Sequence, residues 1–192
     1  MKTKVLLFNT TADELLDIQE RLSETSYEII AITSDLSDIS QAALSGSVDL
    51  VMAVTDKRFG QLFTCVQQIN LHKPIPVVVF TYDDSRDVIQ LAIKAGVSAY
   101  IVDGLQAKRM LSILDTARFR FNEQQSIKNE LEKTKNTLSE RKFIDKAKGI
   151  LMQRSNINED AAYKAMRKMA MDKNIKMAEL AKSVISASEL IT

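Results

Sequence analysis

Thiol and imidazole side chains, the usual ligands of zinc and frequent catalytic groups, are scarce in this chain. Among its 192 residues there is one cysteine, Cys65, and one histidine, His72. A single cysteine forms no intrachain disulfide, and one cysteine with one histidine falls short of the four ligands of a structural zinc site. The sequence also offers no paired nucleophile and base and no glycine-rich phosphate loop. We therefore expect a protein that is not an enzyme, with no cofactor and no metal site.

Charge indicates a binding role once the chain is divided. The 26 Lys and Arg and the 25 Asp and Glu leave a net charge of only +1. Residues 1–118, however, contain 11 basic and 15 acidic residues, whereas residues 119–192 contain 15 and 10. This asymmetry of −4 and +5 indicates a nucleic-acid-binding part joined to a part with another role, although a solvated helical surface has the same composition.

The acidic part is predicted to be a parallel α/β sheet. Helical patterns separate five short apolar runs, which lie at 5–8, 29–32, 50–54, 76–81 and 99–102. Their continuous apolar character indicates burial on both faces, as in a parallel sheet covered by crossover helices. The predicted fold class is α/β, a doubly wound five-stranded sheet of flavodoxin type, in which functional residues are expected where the strands end.

The last two runs resemble the receiver domain of response regulators. The stretches 76–81 and 94–102 match that family's fourth and fifth strands, with Thr81 at the switch hydroxyl and Tyr100 at the partner aromatic. Receivers hold Mg²⁺ with an acidic pair after the first strand, phosphorylate an aspartate that ends the third, and keep a lysine after the fifth. At those positions this chain has Asn9 with Thr10, Val54, and Asp103. The resemblance therefore implies a pseudo-receiver over residues 1–118, with no phosphorylation.

An alternative retains the phosphorylation chemistry on displaced residues. Asp56 lies two residues beyond Val54, and Asp13 or Glu14 would then supply the metal-binding carboxylates. Asp13 and Glu14 are better explained as acidic residues in the first turn of a helix, where they complement the helix dipole. We therefore expect the controlling signal to arrive by another route.

A long helix is predicted after the sheet, because good helix formers continue without Pro or Gly from 111 to about 145. Four positions are spaced 4, 3 and 4 residues apart, as in a heptad seam: Ile127, Leu131, Thr134 and Leu138. The pattern predicts a coiled-coil helix over 119–141 that links the domains and forms a homodimer. The alternative is a solvated single helix whose apolar positions dock on the sheet.

Helical patterns predict a three-helix module at the end of the chain. The first apolar face consists of Phe143, Ile144, Ala147 and Leu151, and the last of Leu180, Ala181, Val184 and Ile185. Asn158 is a good N-cap for the middle helix. Glu159 and Asp160 lie in the first turn of that helix, and its predicted inner face consists of Ala162, Met166, Met169 and Ala170.

The strings 147–154 and 159–171 resemble the ANTAR module of bacterial antitermination regulators, over residues 124–185, which overlap the long helix. The whole chain is similar to the group represented by NasT and AmiR, and more closely to the NasT-like proteins of nitrate and nitrite assimilation. This resemblance implies binding to paired hairpins of a nascent leader mRNA, each with a six-nucleotide loop, which prevents an overlapping terminator from forming.

The resemblance also implies which residues contact RNA. Phosphates attract cations, and splayed loop bases stack on an aromatic ring or a guanidinium plane. The candidates are Lys146, Ala147, Lys148, Gly149, Met152, Arg154, Tyr163, Arg167 and Lys168. Gly149 would permit close approach of the RNA backbone, and Tyr163 would stack on a base.

Each candidate also has a purely structural interpretation. Ala147 suits a helix crossing, and Met152, like Met171, suits a core. Gly149 would then relieve local packing, Tyr163 would be a buried ring, and the cations would form a solvated surface.

The resemblance further implies a ligand-sensing protein in the cytoplasm, similar to NasS or AmiC, that sequesters the regulator. No apolar run approaches the ~20 residues needed to span a bilayer, so we expect a cytoplasmic protein without a membrane partner.

Two alternatives are a DNA-binding response regulator and a protein-only signalling adaptor. The carboxylates of Glu159 and Asp160 disfavour the first, because they would face DNA phosphates. The second would use the methionine-rich helix faces.

Overall fold

A computed structural model describes residues 2–10, 15–23, 25–55 and 60–189. Its elements, in chain order, are β1 (Thr3–Asn9), α1 (Leu15–Ser23), β2 (Tyr27–Thr33), α2 (Leu36–Ser45), β3 (Leu50–Thr55), α3 (Gly60–His72), β4 (Val77–Thr81), α4 (Arg86–Ala95), β5 (Ala99–Ile101), α5 (Ala107–Ser155), α6 (Glu159–Asp172) and α7 (Met177–Glu189). Two compact units are present: a sheet unit, Met1–Gln125, and a helical unit, Ser126–Thr192. Helix α5 contributes residues to both.

The sheet unit is a five-stranded parallel sheet with the strand order β2-β1-β3-β4-β5. This order confirms the predicted doubly wound fold, and each predicted run coincides with a strand to within two residues at either end. The carboxyl ends of β1, β3 and β4 lie side by side, because Asn9 pairs with Val54 and Thr55 pairs with Thr81. Residues at these three ends are therefore neighbours.

Burial on both faces explains the continuous apolar strands. Leu6 and Phe8 of β1 belong to a core covered by α2, α3 and α4, whereas Val5 and Leu7 belong to a core covered by α1 and α5. Alternate side chains of one strand point to opposite faces, so a strand covered on both sides needs apolar residues at every position. All six residues of β3 are buried.

The helical unit is built from the last turns of α5 and the helices α6 and α7. Its buried core consists of Ala147, Met166, Ala170, Leu180, Ala181 and Ile185, with Phe143, Ile144, Leu151 and Val184 packed against it. The predicted inner faces are confirmed except at Met169, whose side chain is 44% exposed. Position 169 lies about 100° from 170 around the helix, and that rotation carries Met169 off the core side.

Helix α5 continues through Ser155, ten residues beyond the predicted limit of the long helix. Gly149 therefore lies inside the helix without ending it. The seam residues Ile127, Leu131, Thr134 and Leu138 are all exposed.

One polar network ties α5 to the amino-terminal edge of the sheet. The Tyr27 hydroxyl donates to Asp115 Oδ1 at 2.6 Å, and Arg118 Nη1 donates to Thr3 Oγ1 at 2.6 Å. The Arg118 guanidinium also lies 5.6 Å from the centroid of the Tyr27 ring. Burial, followed by the hydrogen bond to Asp115, raises the pKa of Tyr27 above its ordinary value of 10.0.

Replacing Tyr27 by phenylalanine is expected to lower the free energy of unfolding by about 1 kcal/mol at pH 8, because it removes one hydrogen bond to a carboxylate. The folded state holds the Tyr27 proton more tightly than the unfolded state, so its contribution is complete below pH 10 and declines above it. In urea unfolding, the free-energy difference between the wild type and Tyr27→Phe should therefore be smaller at about pH 11 than at pH 8. The control is Tyr82→Phe, in which the changed ring is 65% exposed. Equal stability of the wild type and Tyr27→Phe at pH 8 would contradict this role.

Candidate functional site

The carboxyl edge of the sheet lacks acidic groups at the positions where receivers have them. Val54 is 4% exposed and its side chain packs in the core beneath α1 and α5. The neighbouring Asn9 is also buried, and the Thr10 hydroxyl donates to the Thr55 hydroxyl at 3.2 Å. An apolar, packed side chain thus occupies the acceptor position. Asp13, Glu14 and Asp56 lie outside the described residues.

Thr81 and Tyr100, the two residues at the switch positions, both contact the loop after β4. The Tyr100 hydroxyl donates to the carbonyl oxygen of Asp83 at 2.9 Å, and the Asp83 amide donates to Thr81 Oγ1 at 3.2 Å. The Tyr100 ring packs against Phe63, with 6.4 Å between centroids. Burial, then the Asp83 charge, raises the pKa of Tyr100. The ring is therefore held inward by both packing and a hydrogen bond.

A tight turn follows β5, where receivers keep their lysine. Asp103 is exposed, and Gly104 has φ +67° and donates its amide to the Thr81 carbonyl at 2.9 Å. A Cβ on Gly104 would lie 2.5 Å from Cζ of Tyr82. Backbone conformation and the Tyr82 ring therefore both favour glycine at 104.

Gly104→Ala is expected to destabilise the sheet unit by about 1–2 kcal/mol, because a side chain in the left-handed region is strained. Gly104→Asn should cost less, since asparagine tolerates this region better. Gly60→Ala is the control: a Cβ there meets nothing within 4 Å among the described residues, so no loss is expected. Thermal unfolding of the three variants measures the difference, and equal melting temperatures for the two alanine variants would refute the assignment.

In the helical unit, Lys148 joins α5 to the start of α6. Its Nζ lies 2.8 Å from Asp145 Oδ1 and 2.7 Å from Glu159 Oε1, and its side chain is only 14% exposed. The hydrogen bonds to Asp145 and then to Glu159 raise the pKa of Lys148, and the hydrogen bond from Lys148 lowers that of Asp145. Asn158 caps α6 by accepting from the Ala161 amide at 2.9 Å.

Two other predicted cations contact the end of α7. Lys146 Nζ lies 3.2 Å from Glu189 Oε1, and Arg154 Nη2 donates to the Ser188 carbonyl at 3.1 Å. Arg167 and Lys168, by contrast, are exposed on α6 and make no ion pair with any described residue. The five candidate cations thus differ in how much of their charge is already compensated within the fold.

The uncharged candidates differ in how far the fold buries them. Ala147 is fully buried in the helical core, so the interpretation as a small residue at a helix crossing fits it. Met152 is half-buried, whereas Tyr163 is 42% exposed and not the buried ring of the structural interpretation. A Cβ on Gly149 would meet nothing within 4 Å among the described residues, so relief of packing does not explain this glycine. Met171 is 70% exposed, so it is not a core residue.

Sequence reasoning missed the acidic partners of these cations. The three-residue spacing of Asp145 and Lys148 on one helix would have indicated that pair. Glu159 and Glu189 lie 11 and 43 residues from their lysines, and only the packing of the three helices brings them close.

Comparison with solved structures relates the sheet unit to receiver domains. The signal receiver domain of an HD domain-containing protein from Pseudomonas fluorescens Pf-5 aligns with a TM-score of 0.55 and 22% identity, over 64% of this chain and 99% of that one. A CheY-like receiver domain protein from Methanospirillum hungatei JF-1 aligns with a TM-score of 0.53 and 14% identity, over 66% and 98%. The shared feature at these identities is the fold.

Comparison with known sequences identifies most of the helical unit. The family model for the ANTAR domain matches residues 132–185. Residues 132–185 are thus an ANTAR domain, and they follow a unit with the receiver fold. The transcriptional regulatory protein PdtaR of Mycobacterium tuberculosis is 27% identical over 95% of this chain and 89% of its own length. The nitrate regulatory protein of Klebsiella oxytoca is 36% identical over 46% of this chain and 22% of its own length. These relatives are regulatory proteins, in agreement with the expectation that the chain is not an enzyme.

In the parts of the chain between residues 2 and 189 that the structure describes, no three His, Cys, Asp or Glu side chains are grouped as metal ligands would be. Within the same residues, every helix is too short or too polar to cross a bilayer.

Proposed function

We propose that the ANTAR domain of this protein binds paired hairpins, each with a six-nucleotide loop, in a nascent leader mRNA and thereby prevents formation of a terminator. The observation that carries the proposal is Gly149. A glycine inside a helix costs about 1 kcal/mol relative to alanine, and a Cβ at 149 would meet no other described part of the chain. A ligand that approaches the helix backbone closely accounts for a glycine that intramolecular packing does not require.

The surroundings of Gly149 favour a phosphate-bearing ligand. Lys146, Lys148 and Arg154 lie within five residues of it on α5, and Tyr163 exposes part of its ring on α6. Cations attract the RNA backbone, and an exposed aromatic ring provides a stacking surface for an unpaired base. Lys148 would act with its orientation already fixed by Asp145 and Glu159.

Gly149→Ala is expected to change stability and binding in opposite directions. The helix should gain about 1 kcal/mol in the free energy of unfolding, because alanine is the better helix former. The affinity for a two-hairpin leader RNA, measured by fluorescence anisotropy, should fall about tenfold, equivalent to ~1.4 kcal/mol, because the methyl group holds the RNA backbone away. Asn136→Ala, on an exposed part of the same helix, should raise stability without weakening binding.

Duplex DNA of equal length is the control ligand in this titration. Wild-type protein should prefer the RNA, and binding to RNA should retain a component that salt does not remove. Equal and wholly salt-sensitive binding to both would overturn the RNA proposal, and it would favour the DNA-binding alternative.

We further propose that the long helix forms a homodimer through Ile127, Leu131, Thr134 and Leu138. The three large apolar members of this set are between 52% and 60% exposed in the single chain, and such a stripe is stabilised when a second helix covers it. A dimer would present two ANTAR domains to two hairpins.

Leu131→Glu is expected to shift the protein from dimer to monomer at micromolar concentration, because it places two like charges in the seam. Sedimentation velocity measures the shift. Asn129→Glu adds the same charge on the opposite side of the helix and should leave the dimer intact. A monomeric wild type under these conditions would contradict the seam.

Control by a protein rather than by phosphorylation is the remaining part of the proposal. The buried valine at the acceptor position supports it, and the acidic sheet unit with the long helix would form the docking surface for a cytoplasmic ligand sensor of the NasS or AmiC kind. The similarity to a nitrate regulatory protein supports nitrate or nitrite assimilation genes as targets.

A further inference from the structure

A cleft at the turn between α6 and α7 has no role in the function proposed above. Its volume is about 450 Å³, and its lining includes Arg167, Met171, Asn174, Ile175, Lys176 and Met177. That volume lies within the range of small-molecule pockets, about 300–1,000 Å³.

The walls of the cleft are fixed by backbone hydrogen bonds. The Asn174 amide donates to the Met171 carbonyl at 3.1 Å, and the Ile175 amide donates to the Ala170 carbonyl at 3.1 Å. Asn174 has φ +51°, which closes the turn, and the Lys176 carbonyl accepts the Glu179 and Leu180 amides. The cleft is therefore preformed, and a ligand that enters it need not order the turn.

The lining combines exposed apolar side chains with two cations. Met171 is 70% exposed and Ile175 is 37% exposed, although both are large apolar side chains. Arg167 and Lys176 line the same cleft with no acidic side chain among its lining residues, and neither cation pairs with a described residue. An anionic ligand with a flat apolar part is complementary to this arrangement, because methionine adapts to ring surfaces and cations attract phosphate.

We infer that this cleft binds one unstacked nucleotide of the RNA, with its base on Met171 and Ile175 and its phosphate between Arg167 and Lys176. The inference rests on the proposed RNA-binding function. A protein helix suits the cleft less well, because helix recognition needs apolar anchors at i, i+4 and i+7 along a groove longer than this turn.

This nucleotide is distinct from the one proposed to approach Gly149. Lys148, beside Gly149, contacts Glu159 at the first turn of α6, whereas Met171 lies in the last turn. Twelve residues of helix separate these positions, or about 18 Å at 1.5 Å per residue.

The test uses the full-length protein and a two-hairpin leader RNA with its flanking single strands. Ile175→Ser should weaken binding about fivefold to tenfold, because it removes an apolar surface on which the base lies. Lys176→Gln should weaken binding by a similar factor, because it removes a cation from the phosphate. Lys173→Gln removes a positive charge from the same turn outside the cleft lining, and it should stay within about twofold. Thermal melts establish that each variant is folded. Lys176→Gln changes an exposed side chain, so it keeps the test valid if Ile175→Ser does not fold.

An abasic scan of the unpaired RNA positions then identifies the nucleotide. One abasic position should weaken binding to the wild type but have no further effect on Ile175→Ser, because both changes remove the same contact. Additive losses at every position, or wild-type affinity in both cleft variants, would overturn the inference and leave the cleft to a protein partner. If Gly149→Ala weakens binding while the cleft variants do not, the RNA function stands without this cleft. If the wild type does not prefer RNA, both proposals fail.

Discussion

A single helix, α5, has to supply a wall for two separate hydrophobic cores. Met110, Leu114 and Ala117 close the sheet core on the side of α1, and Ala147 lies at the centre of the helical core. Between them α5 is exposed from 126 to 142. Neither unit has a complete core without its own part of this helix. Substitutions that break α5 near either core therefore expose apolar surface on the other elements of that unit.

The sheet unit keeps the fold of a receiver while its acceptor position has become part of the core. Val54 packs beneath α1 and α5, where a carboxylate would be removed from water among apolar side chains. Among the described residues of this edge, uncharged groups form hydrogen bonds: the Thr10 hydroxyl with the Thr55 hydroxyl, and the Tyr100 hydroxyl with the loop after β4. The strand packing of this fold thus does not depend on the metal and phosphoryl chemistry that receivers place there.

Patterns that act over short distances along the chain were predictable from the sequence. Continuous apolar runs located β1 to β5, and the Asn158 cap located the start of α6. Met169 was placed wrongly because a single step around a helix separates the core from solvent. The partners of Lys146 and Lys148 were not predictable, since Glu189 and Glu159 come near only through tertiary packing. The cleft at the α6–α7 turn was also missed, because methionine is typical of a core whereas Met171 lies exposed where the helix ends.

The internal pairing of Lys146, Lys148 and Arg154 also limits how binding can respond to ionic strength. Each RNA phosphate that a protein cation neutralises releases condensed counterions, and their number sets the slope of log affinity against log salt concentration. A lysine that stays with its carboxylates releases none. Under the proposed RNA-binding function, the excess of basic residues after Arg118 therefore overstates the counterions displaced. Discrimination between RNAs then rests largely on shape and base contacts, which persist at the salt concentration of a cell.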